Sequence, residues 1–275
     1  MCRIMLIYGS NYDLILKTLN AFVEASEYDK YKVMLGSTPS HRDGWGYAAF
    51  SITRDNKISK AIYYRSTEPI FTDNEGMYEL IDFIKQSGKV LIMMHSRAIS
   101  VGSLNIFNTH PYHYVGKDYS LWFAHNGTMY KDDLVKVLGM KNCDVENLSD
   151  SYLLGLLLYR RIRVLSEDEI VESYREVSKY TNTAMNTISI FTKPNKMVLA
   201  VTSSYLNSKI WNDHKQVQYY KLYELYGDDI YTVLSSTAAE NIMNAYNKAR
   251  AFINELLYIS VANKLEKLIV KKFRL

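Results

Sequence analysis

The chain has 275 residues, 48% of them hydrophobic and 23% charged, with a net charge of +4. That length can bury a substantial core, and the balance is that of a folded globular protein, not a disordered one. The basic residues are spread along the chain with no stripe to track a phosphate backbone, which excludes nucleic acid as the expected partner; the closing Lys271-Lys272-Phe273-Arg274 run reads as a solvated helix end and not as a membrane anchor.

Residues 2–8 (CRIMLIY) are an apolar run and read as a buried strand. The run is too short for a signal-peptide core and lacks a basic leader and a small-residue cleavage site. No stretch of the chain is long and apolar enough to span a bilayer, so the expected compartment is the cytoplasm. The two cysteines, Cys2 and Cys143, make no disulfide framework, and both are expected as thiols.

Between Tyr12 and Glu27, Ile15, Leu19, Phe22 and Val23 recur at helical spacing. A polar loop with Ser37, Pro39, Ser40 and Asp43 follows, then strands at 46–53 and 61–65 with an Asp55-Asn56 turn signal between them. A helix is expected at 78–85, a fully buried strand at 90–95, a loop-rich stretch at 98–118 and another strand at 121–125. Three helices come next, at 131–138, 150–160 and 167–179, the last entered through Ser166 and Glu169 as a capping box. Strands return at 186–191 and 197–202 around a Lys193-Pro194-Asn195-Lys196 turn, then near 218–222 and 231–235. The tyrosine-rich segment 205–231 reads as half-buried packing. A long amphipathic helix is expected at 238–270, with Ile242, Tyr246, Ala249, Ile253, Leu256 and Leu257 on one side. Helix pairs and mostly antiparallel strands without regular alternation predict an α+β fold. The simplest division is a domain over 2–236 with a helical extension over 237–275.

Five of the six histidines lie between residues 41 and 125. Four of them sit in the strings His41-Arg42-Asp43-Gly44-Trp45-Gly46-Tyr47, His95-Ser96-Arg97-Ala98, Asn108-Thr109-His110-Pro111-Tyr112 and His125-Asn126-Gly127-Thr128, and His113 follows the third. Each string alone has a plain structural explanation. An Asn-Gly pair after a strand is usually a turn, and His110 and His113 sit in a proline-containing loop instead of on a metal-binding helix.

Taken in order with Met1-Cys2-Arg3 and Ser149-Asp150-Ser151, these strings resemble the class II, N-terminal-nucleophile glutamine amidotransferases, particularly stand-alone members without a synthase domain. The resemblance covers residues 2 to about 155, and Ser235-Ser236 matches a late serine-containing strand of some members. Several relatives carry Thr-Asp-Ser/Thr-Glu where this chain has Ser149-Asp150-Ser151-Tyr152: the aspartate is kept and the following acid is not. The resemblance implies a four-layer αββα sandwich and no metal or other cofactor.

It also implies the site. Hydrolysis of an amide through a thioester needs a thiolate, a proton acceptor and donors aimed at the oxyanion. Cys2, made N-terminal by removal of Met1, is the nucleophile, and its own α-amine, titrating near ~8, takes the thiol proton. The side-chain amide of Asn126 and the Gly127 N–H form the oxyanion hole. Arg97 binds the α-carboxylate of the substrate and Asp150 its α-ammonium. His95, His110 and His125 are then architectural, and Asp43, Trp45 and Gly46 are wall or loop residues.

The expected substrate is glutamine or a γ-glutamyl compound. The expected macromolecular partner is a separate synthase subunit or a second copy of the chain. Two other readings stand beside this one. If Met1 is retained, the Cys2 nitrogen is locked in a peptide bond and the chain is a non-catalytic binding or regulatory subunit. A metallohydrolase built on the histidine cluster predicts activity lost to chelation and indifferent to thiol alkylation.

Overall fold

The computed structural model describes residues 2–100, 103–194, 196–205, 210–261 and 268–275. Met1 lies outside them, as do Asn195 of the expected turn, residues 101–102 and 206–209 of the loop-rich and tyrosine-rich stretches, and residues 262–267 of the expected closing helix.

The chain opens with β1 (Arg3–Gly9), α1 (Tyr12–Glu27), α2 (Lys30–Met34), β2 (Trp45–Ile52), β3 (Ile58–Ser66), α3 (Asn74–Lys85) and β4 (Val90–Ser96). A single 3₁₀ turn at Ile106–Asn108 interrupts the loop-rich stretch before β5 (Tyr112–Val115) and β6 (Ser120–Asn126). Helices α4 (Lys131–Leu138), α5 (Asn142–Val145), α6 (Asp150–Arg161) and α7 (Glu167–Ser178) follow, then β7 (Asn186–Lys193) and β8 (Lys196–Ser203). The last part holds α8 (His214–Tyr220), β9 (Leu222–Gly227), β10 (Ile230–Ser235), α9 (Ser236–Ile242), β11 (Lys248–Phe252), β12 (Glu255–Val261) and β13 (Leu268–Arg274).

Two antiparallel sheets face each other, one ordered β11-β9-β10-β1-β4-β2-β3 and the other β13-β12-β8-β7-β6-β5. Side chains of β1 alternate between two cores, which is why its sequence is apolar throughout. Ile4, Leu6 and Tyr8 enter the layer between the sheets, where Met93, Ile188, Val201 and Val233 meet them. Met5 and Ile7 point the other way, against Leu19 and Phe22 of α1, Leu80 of α3 and Ala238 of α9. On the far side, α4, α6 and α7 cover the second sheet through Leu134, Leu154, Leu158 and Tyr174. The result is the four-layer αββα sandwich that the resemblance implies. No helix among the described residues is long and apolar enough to cross a membrane.

Two expectations are corrected. The long closing helix is absent: α9 ends at Ile242, a 3₁₀ turn follows at Met243–Ala245, and the chain returns as β11, β12 and β13. The helical reading counted Leu256 and Leu257 on one face. In the fold Leu256 and Tyr258 pack toward the helices while Leu257 and Ile259 enter the inter-sheet layer. This two-sided burial of a central strand reads in sequence as an uninterrupted apolar run, without a period of its own. Residues beyond 236 thus complete both sheets, β11 on β9 and β12 on β8, and are not a helical extension. The strand expected near 218–222 is the end of α8, capped by Asp213, whose carboxylate accepts the Lys215 and Gln216 N–H groups; β9 begins only at Leu222.

At α7 the capping box is half formed. Ser166 Oγ accepts the Glu169 N–H at 3.3 Å, but the Glu169 carboxylate takes the Arg163 and Val164 N–H groups instead of returning to Ser166.

Candidate active site

At one end of the sandwich the inter-sheet layer changes from apolar to polar. The β1–β4 register pairs Arg3 with Ser96 and Ile4 with His95, so Cys2 continues the alternation of Ile4 and Leu6 toward the same layer. Across the gap β6 ends at Asn126, paired with Asn186 at the start of β7.

Cys2 is half-buried and held on three sides. Its backbone nitrogen donates to Asn126 Oδ1 at 3.0 Å, its thiol lies 3.6 Å from the Ala98 carbonyl, and the Tyr219 hydroxyl donates to its carbonyl at 3.0 Å. Burial pushes the thiol up, but the positive charge around it and the His95 ring outweigh it and bring the thiol down to about 6.

Asn126 is fully buried and uses its carboxamide at one end only. Oδ1 accepts from Cys2, while Nδ2 has no hydrogen-bond partner among the described residues. Gly127 follows at φ +149°, and a Cβ there would overlap the Ala184 carbonyl oxygen. Only glycine fits that backbone.

Arg97 and Asp150 are buried, and neither makes an ion pair among the described residues. Both Arg97 Nη atoms donate to one backbone carbonyl, that of Ser103, at 3.3 Å. Asp150 opens α6 behind the N-cap Ser149, where the helix dipole favours a carboxylate, and its Oδ2 accepts the Met129 N–H at 2.6 Å. Tyr112 lies within electrostatic reach of Arg97, Asp150 and Cys2 alike, and burial raises its hydroxyl well above the usual phenol range. The fold thus brings together all five residues singled out in sequence.

The remaining strings are scaffolding. Asn108 Nδ2 donates to the Asn147 carbonyl and its Oδ1 accepts the Ser149 N–H, which ties the 3₁₀ turn to the start of α6. Asp43 accepts the Ile99 N–H and donates its own to the Arg97 carbonyl, while the Arg97 N–H reaches the Gly44 carbonyl. This clasp orients the strand end that carries Arg97. His110 is buried, whereas His113 is exposed and stacks on Trp122 with centroids 3.6 Å apart, so the two share no site. Among the described residues no three His, Cys, Asp or Glu side chains gather as metal ligands.

A second group lies beside Cys2 that the sequence reading did not single out. Arg3 is fully buried, ion-paired with Asp29, and its guanidinium sits 4.1 Å over the Tyr219 ring while donating to the Tyr219 carbonyl at 2.8 Å. Asp29 also accepts from Thr237 Oγ1 at 2.6 Å and from His41 Nε2 at 2.9 Å. Burial would raise the Asp29 carboxyl, but Arg3 holds it far below the usual range. His41 is pushed down to about 3 by burial and is therefore neutral. The group fixes Tyr219, and Tyr219 fixes the Cys2 carbonyl. One signal was available: an arginine inside an otherwise apolar strand must have a buried counter-charge.

The family model for "Glutamine amidotransferases class-II" matches residues 24–218, a span that holds Arg97, Asn126, Gly127 and Asp150. Among solved structures, the chain is similar to "the allosteric regulatory enzyme of purine biosynthesis", with a TM-score of 0.55 and 17% identity over 99% of this chain and 49% of that one. It thus spans about half the length of that relative, and the likeness is one of fold. A second solved structure, a "predicted glutamine amidotransferase from Pseudomonas aeruginosa PA01", aligns with a TM-score of 0.39 and 12% identity over 98% of this chain and 93% of that one. No curated protein matches the chain.

Proposed function

The chain belongs to the class II glutamine amidotransferases, and from that membership we propose that it hydrolyses the side-chain amide of glutamine or a γ-glutamyl compound with Cys2 as the nucleophile. The observation that carries this reading is the Asn126 carboxamide, bonded to Cys2 at Oδ1 and left with a buried, unpartnered donor at Nδ2. An unsatisfied buried N–H costs stability, and its use here is to meet an oxyanion that exists only during reaction.

With Met1 removed, the Cys2 nitrogen is an α-amine. The thiolate attacks the amide carbon, and the oxyanion is met by Asn126 Nδ2 and the Gly127 N–H. Collapse breaks the C–N bond as a proton passes to the departing ammonia or amine, leaving a γ-glutamyl thioester on Cys2. Water then releases glutamate and restores the thiol. Arg97 and Asp150, which make no ion pair among the described residues, suit the α-carboxylate and α-ammonium of the substrate, and simple amides that leave these charges unmet are disfavoured. The ammonia or amine is either the end product or passes to a separate synthase subunit, and the reaction belongs in the cytoplasm.

The test is a screen of glutamine, glutathione and other γ-glutamyl compounds, with glutamate and the released ammonia or amine both measured. Glutamate should appear from at least one of them and vanish in Cys2→Ala; its absence throughout, with and without cell extract to supply a partner, overturns the reading. Intact mass of the native protein gives the fate of Met1, and full retention assigns the chain instead to the non-catalytic readings.

A further inference from the structure

His95 takes no part in the reaction just described, yet its ring stands between the nucleophile strand and the oxyanion strand. It is fully buried, pairs across β1 with Ile4 and across β2 with Gly46, and shares the inter-sheet layer with Cys2 as its diagonal neighbour. Gly46 leaves that space free because a Cβ there would overlap the carbonyl oxygens of His110 and Tyr64.

The ring's protonation pattern follows from its contacts. Nε2 meets the His125 carbonyl at 3.2 Å, and a carbonyl only accepts, so Nε2 carries the hydrogen. In a neutral ring Nδ1 is then a bare acceptor. Nδ1 is buried and has no hydrogen-bond partner among the described residues, and the ring lies within electrostatic reach of the Cys2 thiol. The two neighbouring histidines are engaged otherwise. His125 uses Nδ1 on Ser151 Oγ and Nε2 on the Ala184 carbonyl. His110 stacks on His95 at 4.0 Å and is held neutral by burial and the surrounding cations.

We propose that His95 Nδ1 is a proton acceptor for the Cys2 thiol, a base supplied by the fold in addition to the amino terminus. The step is one proton transfer: the Sγ–H bond breaks, Nδ1–H forms, and a thiolate–imidazolium pair results with Nε2–H still on the His125 carbonyl. When the C–N bond breaks, the Nδ1 proton passes to the departing nitrogen, and the ring returns to its neutral form. The charges around the pair suit it. Lys32 of α2 lies within electrostatic reach of the thiol and favours the thiolate, and burial holds the neighbouring His110 and His125 rings toward the neutral form. Tyr112, Tyr219 and Tyr220, on β5 and α8, stay neutral because burial raises all three.

The inference rests on Cys2 being the nucleophile, but its test reads the thiol and not the turnover. In His95→Gln the carboxamide nitrogen reaches the place of Nε2 and keeps the bond to the His125 carbonyl, while the base is gone. Labelling of Cys2 by iodoacetamide is followed against pH by mass spectrometry of its peptide, with the exposed Cys143 as the reference thiol. The Cys2 midpoint should rise by one pH unit or more in the variant, which lowers labelling about tenfold at pH 5 and leaves it equal above about pH 9. Superimposable profiles overturn the proposal. Should His95→Gln fail to fold, ¹⁵N-histidine spectra of the wild-type protein decide: Nδ1 of His95 should gain its proton in step with thiolate formation, and an Nδ1 unchanged across that range overturns it. Labelling that blocks Cys2 without loss of glutamate release would instead overturn the nucleophile assignment and leave the thiol titration readable.

Discussion

The Cys2 nitrogen and the Asn126 side chain are joined at 3.0 Å across the gap between the two sheets, although 124 residues separate them in the chain. This bond turns the Asn126 carboxamide so that its oxygen faces the nucleophile's own backbone and its Nδ2 remains buried and unpartnered. Attractive and unspent halves of one amide thus sit at the place where charge develops in the proposed reaction. Asn126→Ala is expected to lower turnover by about 10²–10³ with little change in KM, because the lost donor acts only on the oxyanion. Steady-state kinetics check it; a KM effect alone would remove Asn126 from the oxyanion hole.

Gly127 next to it is constrained twice, by φ +149° and by the Ala184 carbonyl oxygen. Gly127→Ala should destabilise the protein by at least the ~1–3 kcal/mol typical of such backbone strain. It should also abolish activity in the fraction that folds. Thermal unfolding and the assay on folded protein measure the two effects separately.

Arg97 and Asp150 are buried charges without ion-pair partners among the described residues. Arg97→Lys and Asp150→Asn should each raise KM for substrates with a free α-amino-acid head, on the order of 10–100-fold for a lost charge-assisted bond. Turnover at saturation should change less. Equal KM values in variant and wild type would take that residue out of the binding site.

Acid should destabilise the fold through the group behind Cys2. His41 is depressed to about 3, so between that value and the unfolded ~6.5 the unfolded state binds more protons, and stability falls as pH falls across this window. Asp29 is likewise depressed by Arg3; its contribution is complete above the unfolded ~3.9 and is lost as pH drops below it. In urea unfolding from pH 7 to pH 4, His41→Gln should therefore show a shallower pH dependence than wild type. Parallel curves would mean that His41 is not held neutral in the native state.

Much of the candidate site was legible from sequence because its proposed chemistry is carried by residue types that few structural roles require in that order. A cysteine at position 2, an arginine ending an apolar strand, an Asn-Gly pair ending another and an aspartate behind a helix-capping serine are local features, and each keeps its meaning wherever the chain goes. Apart from the short α2, β5 and α5, the strand–helix order through residue 202 follows from the same kind of local signal, the spacing of apolar residues.

What tertiary structure alone decided is where distant residues meet. Buried on both faces, β12 has no period that sequence can register, so its identity as a strand comes only from pairing with β8 and β13. The Arg3–Asp29–His41 group and the Tyr219 hydroxyl on the Cys2 carbonyl join residues up to 217 positions apart. The His95 tautomer is set by a carbonyl on the opposite sheet. Local composition determines which groups are present, but protonation and orientation are set by burial and by the partner across the gap, and those exist only once the two sheets have packed.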